Sequence, residues 1–159
     1  KIEQIGTPEE ILSHPASDYV SRFVQNVDYT KVLTAADVMK KPTPVAFVKD
    51  GPRVALRKMK ESGLSGIFVV KASWELIGHV TADRAVEAAK REEQWLDHIT
   101  DREECATVAP DMPVRSIFPL VAENNNPVAV IGEDNKLKGI IVRGTVLGAL
   151  SERGDTNDE

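Results

Sequence analysis

Few residues in this chain of 159 have types and spacings that could do chemistry, and they point to binding rather than to bond making. No Gly-x-x-x-x-Gly-Lys-Ser/Thr segment occurs, so the sequence offers no P-loop to cradle phosphates. The three histidines, His14, His79 and His98, lie in three different segments, and no pair has a metal-ligand spacing. Cys105, the single cysteine, has neither a Cys-x-x-Cys partner nor an activating neighbour, which fits an inert thiol. Carboxylates are plentiful, but none are paired in an evident cleft. No catalytic residue, metal site or enzymatic activity is expected from such a set. Two groups of cations remain. Lys40, Lys41, Lys49, Arg53, Arg57, Lys58 and Lys60 face a single acid, Asp50, between positions 40 and 60. On a helix, Arg53, Arg57 and Lys60 share one face at i, i+4 and i+7. Farther on, Arg143 directly follows an apolar strand, where a guanidinium matches phosphate geometry.

The elements that carry these groups come in two copies. Ser65–Asp83 holds the apolar run Ile67–Val70, a polar break at Lys71–Glu75 and a second run, Leu76–Val80, that contains Gly78. That pattern reads as two strands joined by a tight turn, followed by a helix that starts at Thr81. The stretch from Pro127 repeats it, with strands at Val128–Ile131 and Leu137–Val142 around a Glu133-Asp134-Asn135 turn. Gly78 and Gly139, Leu76 and Leu137, and Pro52 and Pro113 are each 61 residues apart, the mark of a duplicated unit. Each unit reads as strand, helix, strand, strand, helix, so the expected class is α/β (α+β) with two packed repeats.

The chain divides into a helical fragment at 1–28, repeat one at 34–93, an acidic linker at 94–106, repeat two at 107–151 and an acidic tail at 152–159. The fragment carries the helix start Thr7-Pro8-Glu9-Glu10. In the linker, Trp95 and Ile99 are expected to clamp a short helix to the repeats. Asp111 is expected to cap the helix opened by Pro113, and Pro119 to kink that helix or end its regular part. A last helix is expected from Thr145. A net charge of −5 argues against nucleic acid as partner. No run of apolar residues reaches the roughly 20 needed to cross a bilayer, no signal peptide is visible, and the lone cysteine fits a reducing cytoplasm.

The repeats resemble CBS domains, and the pair resembles a Bateman module, over about residues 34–151. Gly78 and Gly139 fit that family's glycine before the last helix. Pro127-Val128-Ala129-Val130 fits its Pro-Val strand, with Gly66-Ile67-Phe68-Val69 as a looser counterpart. Nucleotide-binding members carry Thr or Ser and then, three residues on, an Asp that holds ribose hydroxyls. Here Thr81 is present, Asp83 comes one residue early and Arg84 takes the expected position. In repeat two Val142 and Thr145 stand in those places. Helix capping and macrodipole complementarity, worth about 1 kcal/mol, also account for Thr81 and Asp83. The segment IEQIGTPEEILSHPASDYVSRFV resembles the end of an ABC importer's nucleotide-binding domain. Together with Val27-Asp28, Ala36-Asp37, Gly139-Ile140-Ile141 and Leu147-x-x-Leu150, it makes the chain similar to the C-terminal part of the ATP-binding subunit of glycine betaine/proline-type (osmoprotectant) importers.

That resemblance implies a regulatory module that gates transport in response to ionic strength or cyclic di-AMP. It also implies a homodimer, permease subunits as partners through the parent chain, and a cytoplasmic location at the inner face of the membrane. Two mechanisms stand side by side. In one, Lys40, Lys41, Arg53, Arg57 and Lys60 bind an anionic leaflet. Three helix charges at about 1 kcal/mol each give about a hundredfold in affinity, and salt releases them as the screening length falls from about 10 Å at 0.1 M to about 3 Å at 1 M. In the other, an adenine nucleotide (cyclic di-AMP, AMP or ATP) binds between the repeats or between two modules. Apolar strand ends at Val45, Ile67, Val128 and Ile140 would sandwich the base, with Thr81, Asp83, Arg84, Arg143 and Thr145 around ribose and phosphate. A plain solvated helix face and a non-sensing dimerisation module remain as the simpler readings.

Overall fold

The computed structural model describes residues 33–124 and 126–147. The expected helices of 1–28 and the acidic tail at 152–159 lie outside the described residues.

Thr34 opens α1 (Ala35–Val38), its backbone N–H and hydroxyl donating to the Asp37 carboxylate at 2.9 and 3.0 Å. With Asp37 N–H donating back to Thr34 C=O at 3.0 Å, this lets a helix of a single turn form. Repeat one then runs β1 (Ala46–Phe47), α2 (Pro52–Ser62), β2 (Gly66–Val70), β3 (Leu76–Thr81) and α3 (Ala82–Lys90). Pro52 starts α2 where a missing N–H costs nothing, and Gly63 ends it in the left-handed region at φ 65°. Thr81 caps α3, its hydroxyl accepting from Arg84 N–H at 3.4 Å. A 3-10 turn (Asp97–Ile99) follows. Repeat two then adds β4 (Thr107–Val108), α4 (Val114–Glu123), β5 (Val128–Ile131), β6 (Leu137–Ile141) and a last helix over residues 143–147, α5.

Each repeat builds a three-stranded sheet, β1-β2-β3 and β4-β5-β6, with the first pair parallel and the second antiparallel. Gly78 opposes Val69 and Gly139 opposes Val130, and the register shifts immediately afterwards in both sheets. The duplication thus extends to the irregularities. The short first strands alone depart from the 61-residue spacing: Ala46 pairs with Val69, whereas its counterpart opposite Val130 is Val108, 62 positions on.

Strand alternation divides each sheet between two cores. On one face, Ile67, Val69 and Val80 pack with Ala55, Met59, Ala85 and Ala88 of α2 and α3. In repeat two, Val128, Val130 and Ile141 pack with Val114, Ile117 and Val121 of α4 and with Val146. The opposite faces meet each other, with Phe68, Val70 and Leu76 against Ala129 and Leu137, joined by Val45 and Cys105. The two hairpin turns are bonded reciprocally there: Leu76 N–H donates to Asn135 C=O, and Leu137 N–H to Trp74 C=O, both at 2.9 Å. Trp74 and Asn135, again 61 apart, both adopt positive φ.

The connections cross. Leu33, Ala35 and Val38, which precede β1, lie in the core of repeat two, and Lys40 exchanges backbone bonds of 2.9 and 3.0 Å with Ile140 of β6. Leu96 and Ile99, which precede repeat two, lie in the core of repeat one, and Asp101 exchanges backbone bonds of 2.9 Å with His79 of β3. Trp95 does not clamp the linker as expected, because it is 54% exposed whereas Leu96 is fully buried. A 3-10 turn brings residues three apart onto one side, so Leu96 rather than Trp95 pairs with Ile99. Three smaller expectations also change. Pro113, not Asp111, stands before α4; that helix continues through Pro119 to Glu123; and α5 begins at Arg143 rather than Thr145.

Candidate ligand-binding cleft

The junction where β6 gives way to α5 collects most of the binding groups of repeat two. Arg143 follows β6 by two positions, and its Nη2 donates to the Ala122 carbonyl, near the end of α4, at 3.1 Å. That one bond holds the guanidinium at the mouth of a cavity of about 240 Å³ lined by Val121, Asn124, Asn126, Pro127, Val142 and Arg143. A second cavity of about 210 Å³ shares Arg143 and Val121 and adds Phe118, Ala122, Val146 and Leu147. Asn124 donates through Nδ2 to Leu120 C=O at 2.8 Å, which orients its amide. The Thr145 hydroxyl oxygen is buried and has no partner among the described residues. Apolar walls, side-chain amides and a planar cation suit a ligand with a flat ring and an anionic group.

The corresponding junction of repeat one is arranged differently. Thr81 is engaged in its cap and Asp83 is exposed on the first turn of α3. Arg84 reaches the linker, with Nη1 at 3.1 Å from an Asp101 carboxylate oxygen and Nη2 at 3.7 Å from Glu104. Hydrogen bonds from Glu104 N–H and from Arg84 hold the Asp101 carboxyl below its usual range.

The expected apolar sandwich is not assembled. Ile67 and Val128 point into the helix-side cores of their own repeats, while Val45 is buried between the sheets. Their neighbours Phe68 and Ala129 take the inter-sheet face, and Ile140 packs against that cluster. The cationic set is divided as well. Arg53, Arg57 and Lys60 lie exposed on α2 and form no ion pair among the described residues, whereas Lys58 is tied to Asp50 at 2.9 Å and to Val45 C=O at 3.0 Å. Lys40 and Lys41 are exposed, but Lys40 is bonded through its backbone to repeat two.

One histidine, without a metal-ligand partner in sequence, is enclosed by the fold. His79 is 5% exposed, its Nε2 has no partner among the described residues, and burial pushes its pKa down to about 4. The ring packs edge-on to Phe68 at 5.0 Å and lies against Gly66, where a Cβ would overlap it. A histidine within the apolar run Leu76–Val80 was the available signal. Cys105 is buried, and its thiol is pushed up to about 11 by burial, as an inert thiol requires.

The CBS domain family matches residues 35–91 and 98–152. The chain is 47% identical over 150 residues to the glycine betaine/carnitine transport ATP-binding protein GbuA of Listeria monocytogenes. It is 43% identical over 150 residues to the glycine betaine transport ATP-binding protein OpuAA of Bacillus subtilis. Each match covers 94% of this chain, which spans 37% and 35% of the two relatives' lengths. Among solved structures, CbpB in complex with c-di-AMP superposes with a TM-score of 0.72 at 13% identity, covering 87% of this chain and 98% of that one. CBSX2 in complex with AMP does so with a TM-score of 0.66 at 21% identity, covering 75% and 96%. Duplicated sheets with shared irregularities and a family match to both copies lead to one conclusion: the chain belongs to the CBS domain family, which it carries as a tandem pair.

Proposed function

We propose that this chain is the regulatory CBS pair of the ATP-binding subunit of a glycine betaine/proline-type ABC importer, and that it controls uptake by binding an adenine nucleotide, with cyclic di-AMP the first choice. The importer assignment rests on the 47% identity to a betaine transport subunit over nearly the whole chain. The nucleotide assignment is carried by the Arg143 cleft, where a guanidinium with one internal bond borders apolar walls and amide groups. Arg143 takes phosphate, the buried Thr145 hydroxyl supplies a nearby polar group, and Thr81, Asp83 and Arg84 form the counterpart in repeat one. Solved structures of similar fold hold AMP or c-di-AMP, which supports the ligand class. Catalysis is assigned to the remainder of the parent subunit, which pairs with a second copy and with permease subunits at the inner face of the membrane.

Titration calorimetry with AMP, ATP and cyclic di-AMP tests the nucleotide reading. One nucleotide is expected to bind at micromolar strength or better, and Arg143→Gln to weaken it at least tenfold. Absence of heat with all three would overturn it. The exposed row Arg53, Arg57 and Lys60 favours a second reading, attraction to anionic lipid that salt relieves. Neutralising that row would then abolish binding to anionic vesicles at low salt and leave nucleotide affinity unchanged.

A further inference from the structure

We infer that Asp101 and Glu104 are built-in competitors for Arg84, occupying the guanidinium that an anionic ligand would otherwise take; the inference rests on the nucleotide reading above.

Arg84 is the only cation among the described residues whose guanidinium meets two linker carboxylates, Asp101 at 3.1 Å and Glu104 at 3.7 Å. Asp101 is positioned for this by its own backbone. Its N–H and C=O are both bonded to His79 at 2.9 Å, and its second carboxylate oxygen accepts from Glu104 N–H at 3.1 Å. A phosphodiester presents two oxygens to a guanidinium in the same fork geometry that a carboxylate uses. Here the two carboxylates, one facing each terminal nitrogen of Arg84, occupy the positions that the two phosphodiester oxygens would take. Repeat two lacks the device: the positions 61 residues away from Arg84 and Asp101 are Thr145 and Lys40, and the nearby Arg143 meets a neutral carbonyl. The two half-sites thus differ in readiness, repeat two being open and repeat one closed by the protein's own acids.

The arrangement also gives the ligand a mechanical consequence. Residues 100–104 are attached to repeat one through backbone bonds to β3 and through the Arg84 pairs. An anion that takes Arg84 removes the second attachment and leaves the first. The ion pairs are partly exposed, so they exchange at small free-energy cost and weaken further as salt rises.

The test is calorimetry of the whole chain with cyclic di-AMP, comparing wild type with Glu104→Gln, Asp101→Asn and Arg84→Gln. Glu104→Gln and Asp101→Asn are expected to tighten binding about threefold to fivefold, and the gain is expected to vanish when Arg84→Gln is added. An ion pair that serves structure alone would give unchanged or weaker binding, and that outcome with a binding wild type overturns the inference while the nucleotide reading stands. A second readout needs no nucleotide. Inorganic pyrophosphate is expected to speed amide exchange of residues 100–104 in wild type, and Arg84→Gln to show fast exchange with or without it. If no nucleotide binds any variant but pyrophosphate has this effect, the nucleotide reading fails and the competition at Arg84 stands. Exchange indifferent to both pyrophosphate and Arg84→Gln overturns the competition.

Discussion

His79 shows how one buried side chain sets a property of the whole chain. It sits on β3 against Gly66 and Phe68, and burial holds its pKa near 4 rather than 6.5. Between those values the unfolded chain binds a proton that the folded chain refuses, so stability rises with pH across this window and falls on acidification. A separation of about 2.5 pH units corresponds to about 3 kcal/mol lost between pH 6.5 and pH 4. The carboxyls of Asp50, Asp101 and Asp134 are all held below their ordinary values, so their contribution is lost only at still lower pH. Ile140 occupies the matching position of repeat two, which makes His79→Ile a natural control. Denaturant titrations from pH 7 to pH 4 are expected to show a steep loss in wild type and a much flatter one in His79→Ile. Equal slopes would mean that the histidine is protonated without cost in the folded chain.

At the scale of elements, the glycine of each last strand exists to let a crossing segment approach. A Cβ on Gly78 would lie 2.5 Å from the Asp101 carbonyl oxygen and 2.8 Å from its carbon. A Cβ on Gly139 would meet the Met39 side chain, including Sδ and Cγ, with Met39 Cβ at 2.9 Å. The Asp101 backbone is itself hydrogen-bonded to β3 and cannot yield, whereas the Met39 Sδ and Cγ can rotate away and leave only the contact with its Cβ, which is fixed to the segment that Lys40 bonds to β6. Gly78→Ala is therefore expected to cost about 1–3 kcal/mol, the range for overpacking. Gly139→Ala is expected to cost less than Gly78→Ala, since most of its overlap is with movable side-chain atoms and the lower entropy of the unfolded alanine chain offsets part of the strain. Thermal denaturation of the two variants gives the comparison, and an equal loss would contradict it. Both glycines stood out in the sequence through their common spacing. Their purpose did not, because spacing records a repeated need without naming the segment that imposes it. The strands were legible for the same reason, as apolar runs with a shared break. Which face of β2 and β5 turns inward is not: both faces are apolar, alternation carries no signal there, and Ile67 and Val128 take the helix side while Phe68 and Ala129 take the inter-sheet side. Arg143 was visible because a cation immediately beyond an apolar strand is unusual, whereas the Arg84 pairs depend on a linker path that no local pattern reveals.

For the molecule as a whole, the crossed connections decide how the halves behave. Each sheet borrows part of its core from the segment that precedes the first strand of the other: Leu33, Ala35 and Val38 complete repeat two, and Leu96 and Ile99 complete repeat one. Periodicity could not distinguish this from two self-contained units, since a segment shows the same apolar positions whichever partner buries them. The consequence is mechanical, because a displacement of the chain ahead of residue 33 acts first on repeat two, the half that carries the open Arg143 cleft. Leu33→Ala tests this arrangement. Leu33 is 1% exposed, so truncation is expected to cost about 2–5 kcal/mol. Amide exchange should accelerate first in β5 and β6, remote in sequence, rather than in β2 and β3. Because the two halves share inter-sheet contacts and exchanged segments, unfolding should also remain one transition, with tryptophan fluorescence, confined to Trp74 at the inter-repeat turn by Trp95→Phe, and far-ultraviolet circular dichroism giving the same midpoint. Faster exchange confined to β2 and β3 would place Leu33 with repeat one. Separate midpoints would show that the halves fold independently, and a pull on the N-terminal segment would then have no route from one repeat to the other.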